Sequence, residues 1–148
     1  MIYIGSDHAG YELKEKLKLF LSELGYKVSD KGAFNLNEGD DYPDFIVPVA
    51  EAVAKDLESF GIVLGGSGEG EAISANKIDD IRAVGYYGGN LEIIKLAREH
   101  NDANILSLGA RFVTDDEAKE AVQLFIDTKF TNDERHIRRI NKIDEEEK

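Results

Sequence analysis

Residues 61–77 read GIVLGGSGEGEAISANK, and this stretch decides the fold. It starts as a short apolar run and continues as a loop with four glycines within six positions, Gly65, Gly66, Gly68 and Gly70, before Glu71 opens a helical pattern. Glycine permits a positive φ angle and a close approach to a ligand, and the first N–H groups of a helix are unpaired donors. The order of strand, glycine loop and helix therefore predicts a site for a phosphate or an oxyanion.

The loop differs from the two common nucleotide-binding motifs. Gly65 and Gly70 have the separation found in a P-loop, but Glu71 and Ala72 occupy the positions of its lysine and hydroxyl residue. The dinucleotide fingerprint also fails, since the loop follows the third predicted strand and has different spacing. A carboxylate beside N–H donors suits removal of a proton from carbon, with stabilisation of the resulting enediolate. The helix macrodipole alone also favours a glutamate here, so a structural role for Glu71 is the alternative.

Composition limits the class of protein. The 148 residues suit a single domain, 1–148, and 42% hydrophobic with 32% charged residues is typical of a soluble globular chain. The absence of cysteine excludes disulfides, thiolate metal sites and a cysteine nucleophile. A net charge of −12 argues against a nucleic-acid partner, and no apolar run is long enough for a membrane span. With no basic amino-terminal region or cleavage pattern, we expect a cytoplasmic protein.

Hydrophobic periodicity predicts strands and helices that alternate five times. A first strand at 2–5 precedes a helix at 11–24, whose apolar residues recur at 3.6-residue spacing. Further strands are expected at 26–29, in the run before Gly65, at 82–87 and at 105–108, and further helices start at Pro43 and Glu71 and cover 91–99, 115–128 and 133–147. Pro48 is expected either in the first turn of its helix or at a kink. This order predicts an α/β fold, a doubly wound, Rossmann-like sheet of five parallel strands with an extra carboxyl-terminal helix.

Polar residues follow three of the predicted strands. Because ligands of doubly wound sheets bind outside the carboxyl ends of the strands, Asp7, His8, the glycine loop and Arg111 are expected in one crevice. Capping of a local turn is the alternative role for each side chain. His100 precedes a strand and is expected at the opposite edge, so it would need an unusual loop or a second subunit to reach the crevice.

The last predicted helix carries two arginines on one face, Arg135 and Arg139. Neither has an acidic residue three or four positions away, whereas Arg138 has Glu134 at that distance. In so acidic a chain, unpaired arginines indicate a phosphate clamp. The alternative is an exposed helix face paired with distant acids. This helix extends beyond the fifth strand–helix unit, so another protomer is a candidate partner for it.

Six short motifs occur in order: Ser6-Asp7-His8-Ala9-Gly10, Asp41-Tyr42-Pro43, residues 65–77, His100-Asn101-Asp102, Gly109-Ala110-Arg111 and Arg135-His136-Ile137-Arg138-Arg139. In these motifs the chain resembles ribose-5-phosphate isomerase type B and its galactose-6-phosphate isomerase relatives, over nearly its full length. The resemblance implies interconversion of ribose 5-phosphate and ribulose 5-phosphate through a cis-enediolate, without metal or cofactor, in the pentose phosphate pathway.

The resemblance also implies roles for residues of the glycine loop. One branch of the family has a cysteine base at the position of Gly65, and the other has a glutamate at the position of Glu71, so the chain resembles the glutamate branch. Ser67 would assist proton movement between substrate oxygens. Gly68, Glu69 and Gly70 would form the anion hole. Gly66 and Tyr42 would also bind the substrate.

Other roles carried by the resemblance fall outside this loop. His100 would open the furanose ring, Asn101 would contact the enediolate, and Asp7 would bind sugar hydroxyls. The residues expected to hold the phosphate are His8, Arg135 and Arg139, with Arg111 nearby. The family is dimeric with shared sites, so the resemblance implies a homodimer, or a dimer of dimers, in which His100 and the last helix reach the partner's crevice.

Three alternatives stay open from the sequence. A six-carbon substrate such as allose 6-phosphate or galactose 6-phosphate differs only in the pocket depth it needs. A non-catalytic flavodoxin-like module would bind phosphate or nucleotide, although residues 6–10 lack a hydroxyl-rich phosphate loop. A structural subunit could complete a partner's site.

Two features of the proposed site are left undecided by the sequence. Segment 86–90 is more glycine-rich than the family pattern. The pKa of Glu71 would be raised by burial but lowered by the helix amino terminus.

Overall fold

The sheet has five strands, which are β1 (Ile2–Ser6), β2 (Val28–Asp30), β3 (Phe60–Gly65), β4 (Ala83–Tyr86) and β5 (Ile105–Gly109). In the computed structural model, which describes residues 1–147, they form one sheet in the order β2-β1-β3-β5-β4, and every pairing is parallel. The register brings Ser6 beside Leu64 and Gly65 beside Gly109, so these three strands end at one level. The predicted doubly wound α/β fold is confirmed.

Six α-helices of the described residues connect and flank the strands: α1 (Tyr11–Glu23), α2 (Pro43–Ala54), α3 (Glu69–Ala75), α4 (Glu92–Asn101), α5 (Asp115–Asp127) and α6 (Glu134–Glu145). Pro48 lies inside α2 beyond its first turn. α3 begins at Glu69, two residues earlier than predicted, because Gly68 takes a left-handed conformation and caps it. α4 continues through His100 and Asn101, which the sequence placed after the helix.

Two apolar layers cover the sheet. Side chains of β1, β3 and β5 that point to one face pack with residues of α1, α4 and α5 such as Leu17 and Phe125. Side chains on the other face, such as Val63 and Ile105, pack with α2 and α3. A strand buried on both faces has no polar alternation, which explains the continuous apolar run of β3. Within residues 1–147, no helix is both long and apolar enough to cross a bilayer.

A buried lysine anchors the segment that connects β2 to α2. The Lys14 side chain is fully buried, and its Nζ donates to both carboxylate oxygens of Asp30, at 2.9 and 2.8 Å, and to the carbonyl of Ala33. Burial opposes ionisation of Asp30, but hydrogen bonds from Lys14 and Lys18 hold the pKa of Asp30 below its ordinary value. This ion pair therefore fixes the start of the segment that carries Asp40 and Tyr42 to the carboxyl edge of the sheet.

Candidate active site

The glycine loop is packed against the end of β5. Gly68 has φ +82°, and a Cβ at this position would lie 3.0–3.1 Å from backbone atoms of Leu108 and Gly109. The buried Ser107 hydroxyl donates to the carbonyl of Gly68 at 2.6 Å. Ser67 lies at the exposed tip, where its Oγ accepts from the N–H of Glu69 at 3.2 Å. Ser107, a residue of β5, therefore helps to fix the orientation of the loop's peptide groups.

Sequence reasoning did not identify Ser107. Its signal was a single hydroxyl residue in the otherwise apolar run ILSLG of β5. Buried hydroxyls usually have a hydrogen-bond partner, so such a residue indicates a polar group packed against the strand. Here that group is the carbonyl of Gly68, the residue that caps α3.

Glu71 is buried above the end of β3. Its side chain is only 5% exposed, and a Cβ on Gly65 would overlap its carboxylate, so the missing side chain of Gly65 makes room for this group. Burial raises the pKa of Glu71, a hydrogen bond from its own backbone N–H opposes the rise, and the Asp7 carboxylate adds to it. Burial is the largest of these influences, and the net shift of the Glu71 pKa is upward.

Asp7 and His8 follow β1 at the same edge. The Asp7 carboxylate accepts from the N–H groups of Ala9 and Gly10 at 3.0 and 3.3 Å, so it caps the 3₁₀ turn His8–Gly10. His8 Nδ1 lies 2.8 Å from Asp40 Oδ1, and the His8 backbone N–H donates to the same oxygen at 3.2 Å. The hydrogen bond to Asp40 raises the pKa of His8. Asp40 was not singled out from the sequence.

Tyr42 and Arg111 flank the glycine loop on either side. A Cβ on Gly70 would lie 2.7–2.9 Å from the Tyr42 ring, and one on Gly66 would lie 3.2 Å from Arg111 Nη1. A larger residue at position 70 would therefore displace the Tyr42 ring, and one at position 66 would crowd the end of the Arg111 side chain. We refer to the residues gathered here as the carboxyl-edge group: Asp7, His8, Asp40, Tyr42, Gly66, Ser67, Gly68, Glu69, Gly70, Glu71 and Arg111.

The other candidates lie at the opposite end of the sheet. His100 and Asn101 form the end of α4, which leads into the amino end of β5, and Arg82 Nε donates to the Asn101 carbonyl at 3.0 Å. The His100 ring stacks on His136, with centroids 4.4 Å apart and planes inclined by 19°. We call this set the amino-edge group: His100, Asn101, Arg135, His136 and Arg139.

Within the amino-edge group, His136 was not selected from the sequence as a site residue. Its side chain is buried, and among residues 1–147 its Nε2 has no hydrogen-bond partner. Burial lowers the pKa of His136, and the nearby His100 and Arg135 lower it further. Arg135 comes within 4.0 Å of Asp133, an exposed and therefore weak contact, while Arg139 has no ion pair within the described part of the chain.

One chain therefore brings the candidates together in two groups rather than one. The prediction that His100 lies at the edge opposite the glycine loop is correct. The two groups are separated by the length of β5, whose five residues span about 16 Å. A small sugar phosphate cannot contact both groups of the same chain.

Segment 86–90 folds beside the end of β5. Gly88 and Gly89 have φ of 105° and 95°, and the Tyr86 hydroxyl donates to the Gly89 carbonyl at 3.0 Å. Tyr87 and Phe112, at 55% and 62% exposure, present apolar surface next to the carboxyl-edge group. These two side chains therefore form an apolar rim on that edge.

Comparison with known proteins agrees with this architecture. A family model described as Ribose/Galactose Isomerase matches residues 2–143. The ribose-5-phosphate isomerase B of Mycolicibacterium paratuberculosis is 42% identical over 99% of this chain and 91% of its own length. The solved structure of the Clostridium thermocellum ribose-5-phosphate isomerase B is 47% identical, with a TM-score of 0.91 over 99% of this chain and 96% of that one.

A further solved structure carries a bound sugar phosphate. The ribose-5-phosphate isomerase B of Mycoplasma genitalium, with ribulose-5-phosphate bound, is 38% identical, with a TM-score of 0.93 over 99% of this chain and 95% of that one. Both the sequence and the fold are shared over nearly the full length of the relatives. The chain belongs to the ribose/galactose isomerase family.

Proposed function

We propose that the protein interconverts ribose 5-phosphate and ribulose 5-phosphate through a cis-enediolate, with Glu71 as the base. The observation that carries the proposal is the buried Glu71 carboxylate above Gly65, beside the backbone of the glycine loop. Family membership supports the reaction class, and the relative that binds ribulose-5-phosphate supports the substrate class. We expect the reaction to belong to the pentose phosphate pathway in the cytoplasm.

The chemistry needs both a base and a stabiliser. A sugar C2 proton is a far weaker acid than a carboxylic acid, whose reference pKa is about 4.3, so an unaided carboxylate removes it too slowly. Glu71 takes the proton from C2 and returns it to C1. Burial raises the pKa of Glu71, which strengthens it as a base. Peptide N–H groups from Gly68 to Gly70 then stabilise the enediolate oxygen, at about 3 kcal/mol for a well-aimed donor.

Neighbouring side chains complete the proton transfers. Ser67, at the exposed tip of the loop, moves a proton between O1 and O2 of the substrate. Asp7 holds sugar hydroxyls, because both hydrogen bonds that cap the 3₁₀ turn go to its Oδ1 and leave Oδ2 for the substrate. Tyr42 and Gly66 line the crevice on either side of the loop.

The amino-edge group acts in the partner's site. His100 opens the furanose ring and Asn101 contacts the enediolate, while Arg135 and Arg139 hold the phosphate together with His8 and Arg111. Since about 16 Å separates the two groups in one chain, a homodimer is the smallest assembly that can unite them. The apolar rim of Tyr87 and Phe112 supports an interface beside the carboxyl-edge group. A dimer of dimers would preserve the same shared sites.

The reaction is tested with purified protein, EDTA and deuterated water. We expect conversion of ribose 5-phosphate to ribulose 5-phosphate, with solvent deuterium at C1, at a rate unchanged by EDTA. Allose 6-phosphate and galactose 6-phosphate serve as parallel substrates, and faster turnover of either would replace the pentose assignment. Absence of turnover on all three, with phosphate or nucleotide binding retained, would support the non-catalytic alternative.

A further inference from the structure

We propose that Asp40 is a positioning residue that fixes the tautomer and charge of His8, so that His8 presents its Nε2–H to the substrate phosphate. This inference rests on the proposed function for the identity of the anion, but the hydrogen bonding of His8 can be tested without any substrate. His8 and Asp40 are 32 positions apart, and the fold brings them together at the carboxyl edge.

The contact between the two residues is double. Asp40 Oδ1 lies 2.8 Å from His8 Nδ1 and 3.2 Å from the His8 backbone nitrogen. A carboxylate oxygen only accepts, so Nδ1 must carry the hydrogen, and Nε2 is the ring nitrogen left for a ligand. The backbone contact fixes the ring relative to the main chain that follows β1. Asp40 therefore determines which nitrogen points outward, as a carboxylate does for a metal-binding or catalytic histidine.

Burial indicates that the pair is more than a surface contact. The Asp40 side chain is 7% exposed, and within residues 1–147 its Oδ2 has no hydrogen-bond partner. A carboxylate buried with one unpaired oxygen is costly unless a positive charge compensates it. Protonated His8 supplies that charge. The His8 side chain is 28% exposed, so it remains accessible to a ligand.

The surrounding charges favour the same state. The groups that face His8 are Asp40 from the β2–α2 segment, Asp7 at the end of β1 and Arg111 at the exit of β5. The hydrogen bond from Asp40 is the largest influence and raises the pKa of His8, Asp7 raises it further, and Arg111 opposes both. A cationic imidazole beside Arg111 forms a pair of donors suited to a phosphate dianion.

The test is a titration of the histidines by NMR in the wild type, in Asp40→Asn and in Glu38→Gln. Glu38 is an exposed acid of the same segment, so its variant controls for the loss of one negative charge. The chain has three histidines, and a His8→Gln spectrum assigns the His8 signals. We expect the neutral His8 of the wild type to carry its hydrogen on Nδ1. The midpoint of His8 should fall by about one pH unit in Asp40→Asn, whereas Glu38→Gln should change it by less than about 0.2.

Binding of inorganic phosphate at pH 6 and pH 8 provides the second readout. Asp40→Asn should bind phosphate within about threefold of the wild type at pH 6 but about tenfold more weakly at pH 8, because its His8 loses the proton at a lower pH than that of the wild type. Equal weakening at both pH values would indicate a structural role only and would overturn the proposal. A wild-type His8 with its hydrogen on Nε2 would also overturn it, and that measurement is made on the wild type, with His8→Gln used only to assign the signals. Failure to isomerise any sugar phosphate, with the His8 results as expected, would refute the proposed function and leave the pair intact.

Discussion

The strongest consequence of the two-group arrangement is that two inactive variants should restore activity to each other. Glu71→Gln removes the proposed base from the carboxyl-edge group. The double variant His100→Gln with Arg139→Ala removes ring opening and a phosphate contact from the amino-edge group. Because each proposed site takes one group from each chain, a heterodimer of the two variants contains one site with both defects and one intact site.

The size of the effect follows from counting sites. When the two variants are mixed in equal amounts and exchange subunits at random, about half of the dimers are heterodimers, and half of their sites are intact. Turnover should therefore reach about one quarter of the wild-type rate per chain. Heterodimers isolated with two different affinity tags should reach about one half. Each parent variant alone should be at least about a hundredfold slower than the wild type.

The assay measures ribulose 5-phosphate formed before and after exchange of subunits. Glu71→Gln mixed with Asp7→Asn is the matched control, because both residues belong to the carboxyl-edge group and every site of that heterodimer carries a defect. Recovery in the first mixture but not in the control is the predicted result. No recovery in isolated heterodimers of the first pair would refute the shared site, as would a fully active monomer.

Three further predictions concern residues around the site. Ser107→Ala should remove one of the two donors to the buried Gly68 carbonyl, which keeps the N–H of Ala72. We expect the free energy of unfolding to fall by about 0.5–1.5 kcal/mol in denaturant titrations and kcat to fall more than KM rises; an unchanged kcat would remove Ser107 from support of the anion hole. Asp30→Asn should destabilise by about 3 kcal/mol at pH 7, because Lys14 stays buried without its counter-charge. The pKa of Asp30 is held below its ordinary value, so the pair stabilises above about pH 4, and the difference between variant and wild type in thermal unfolding should shrink as the pH falls below that. Arg139→Ala should weaken binding of ribose 5-phosphate about tenfold or more in calorimetry but leave binding of unphosphorylated ribose unchanged; equal effects on both sugars would count against the clamp.

The fold follows from patterns that are local in the sequence. Strand–helix alternation and the doubly buried run of β3 were enough to predict a parallel sheet, and the sheet places Asp7, the glycine loop and Arg111 at one edge. The same rule placed His100 at the other edge, because a helix that precedes a strand ends at that strand's amino end. The start of α3 was less well predicted because it depends on the left-handed φ of Gly68, which follows from packing against β5.

The residues that sequence reasoning missed act over long separations. Asp40 contacts His8 across 32 positions, and Ser107 contacts Gly68 across 39. No periodicity or capping motif in the sequence predicts either contact, because each depends on where two distant segments meet. His136 lay within a recognised motif, but its burial and its stacking on His100 depend on how α6 packs against α4.

The central claim, that Glu71 transfers the proton, is tested most directly by Glu71→Gln with ribose 5-phosphate in deuterated water. We predict that turnover and deuterium incorporation both fall by about 10²–10⁴-fold while affinity for the substrate stays within about threefold. Because burial raises the pKa of Glu71, wild-type kcat/KM should decline as the pH falls through a midpoint above about 4.3. The residual turnover of the variant should not show this decline at low pH. Near-normal turnover and isotope incorporation by the variant would contradict the assignment of Glu71 as the base.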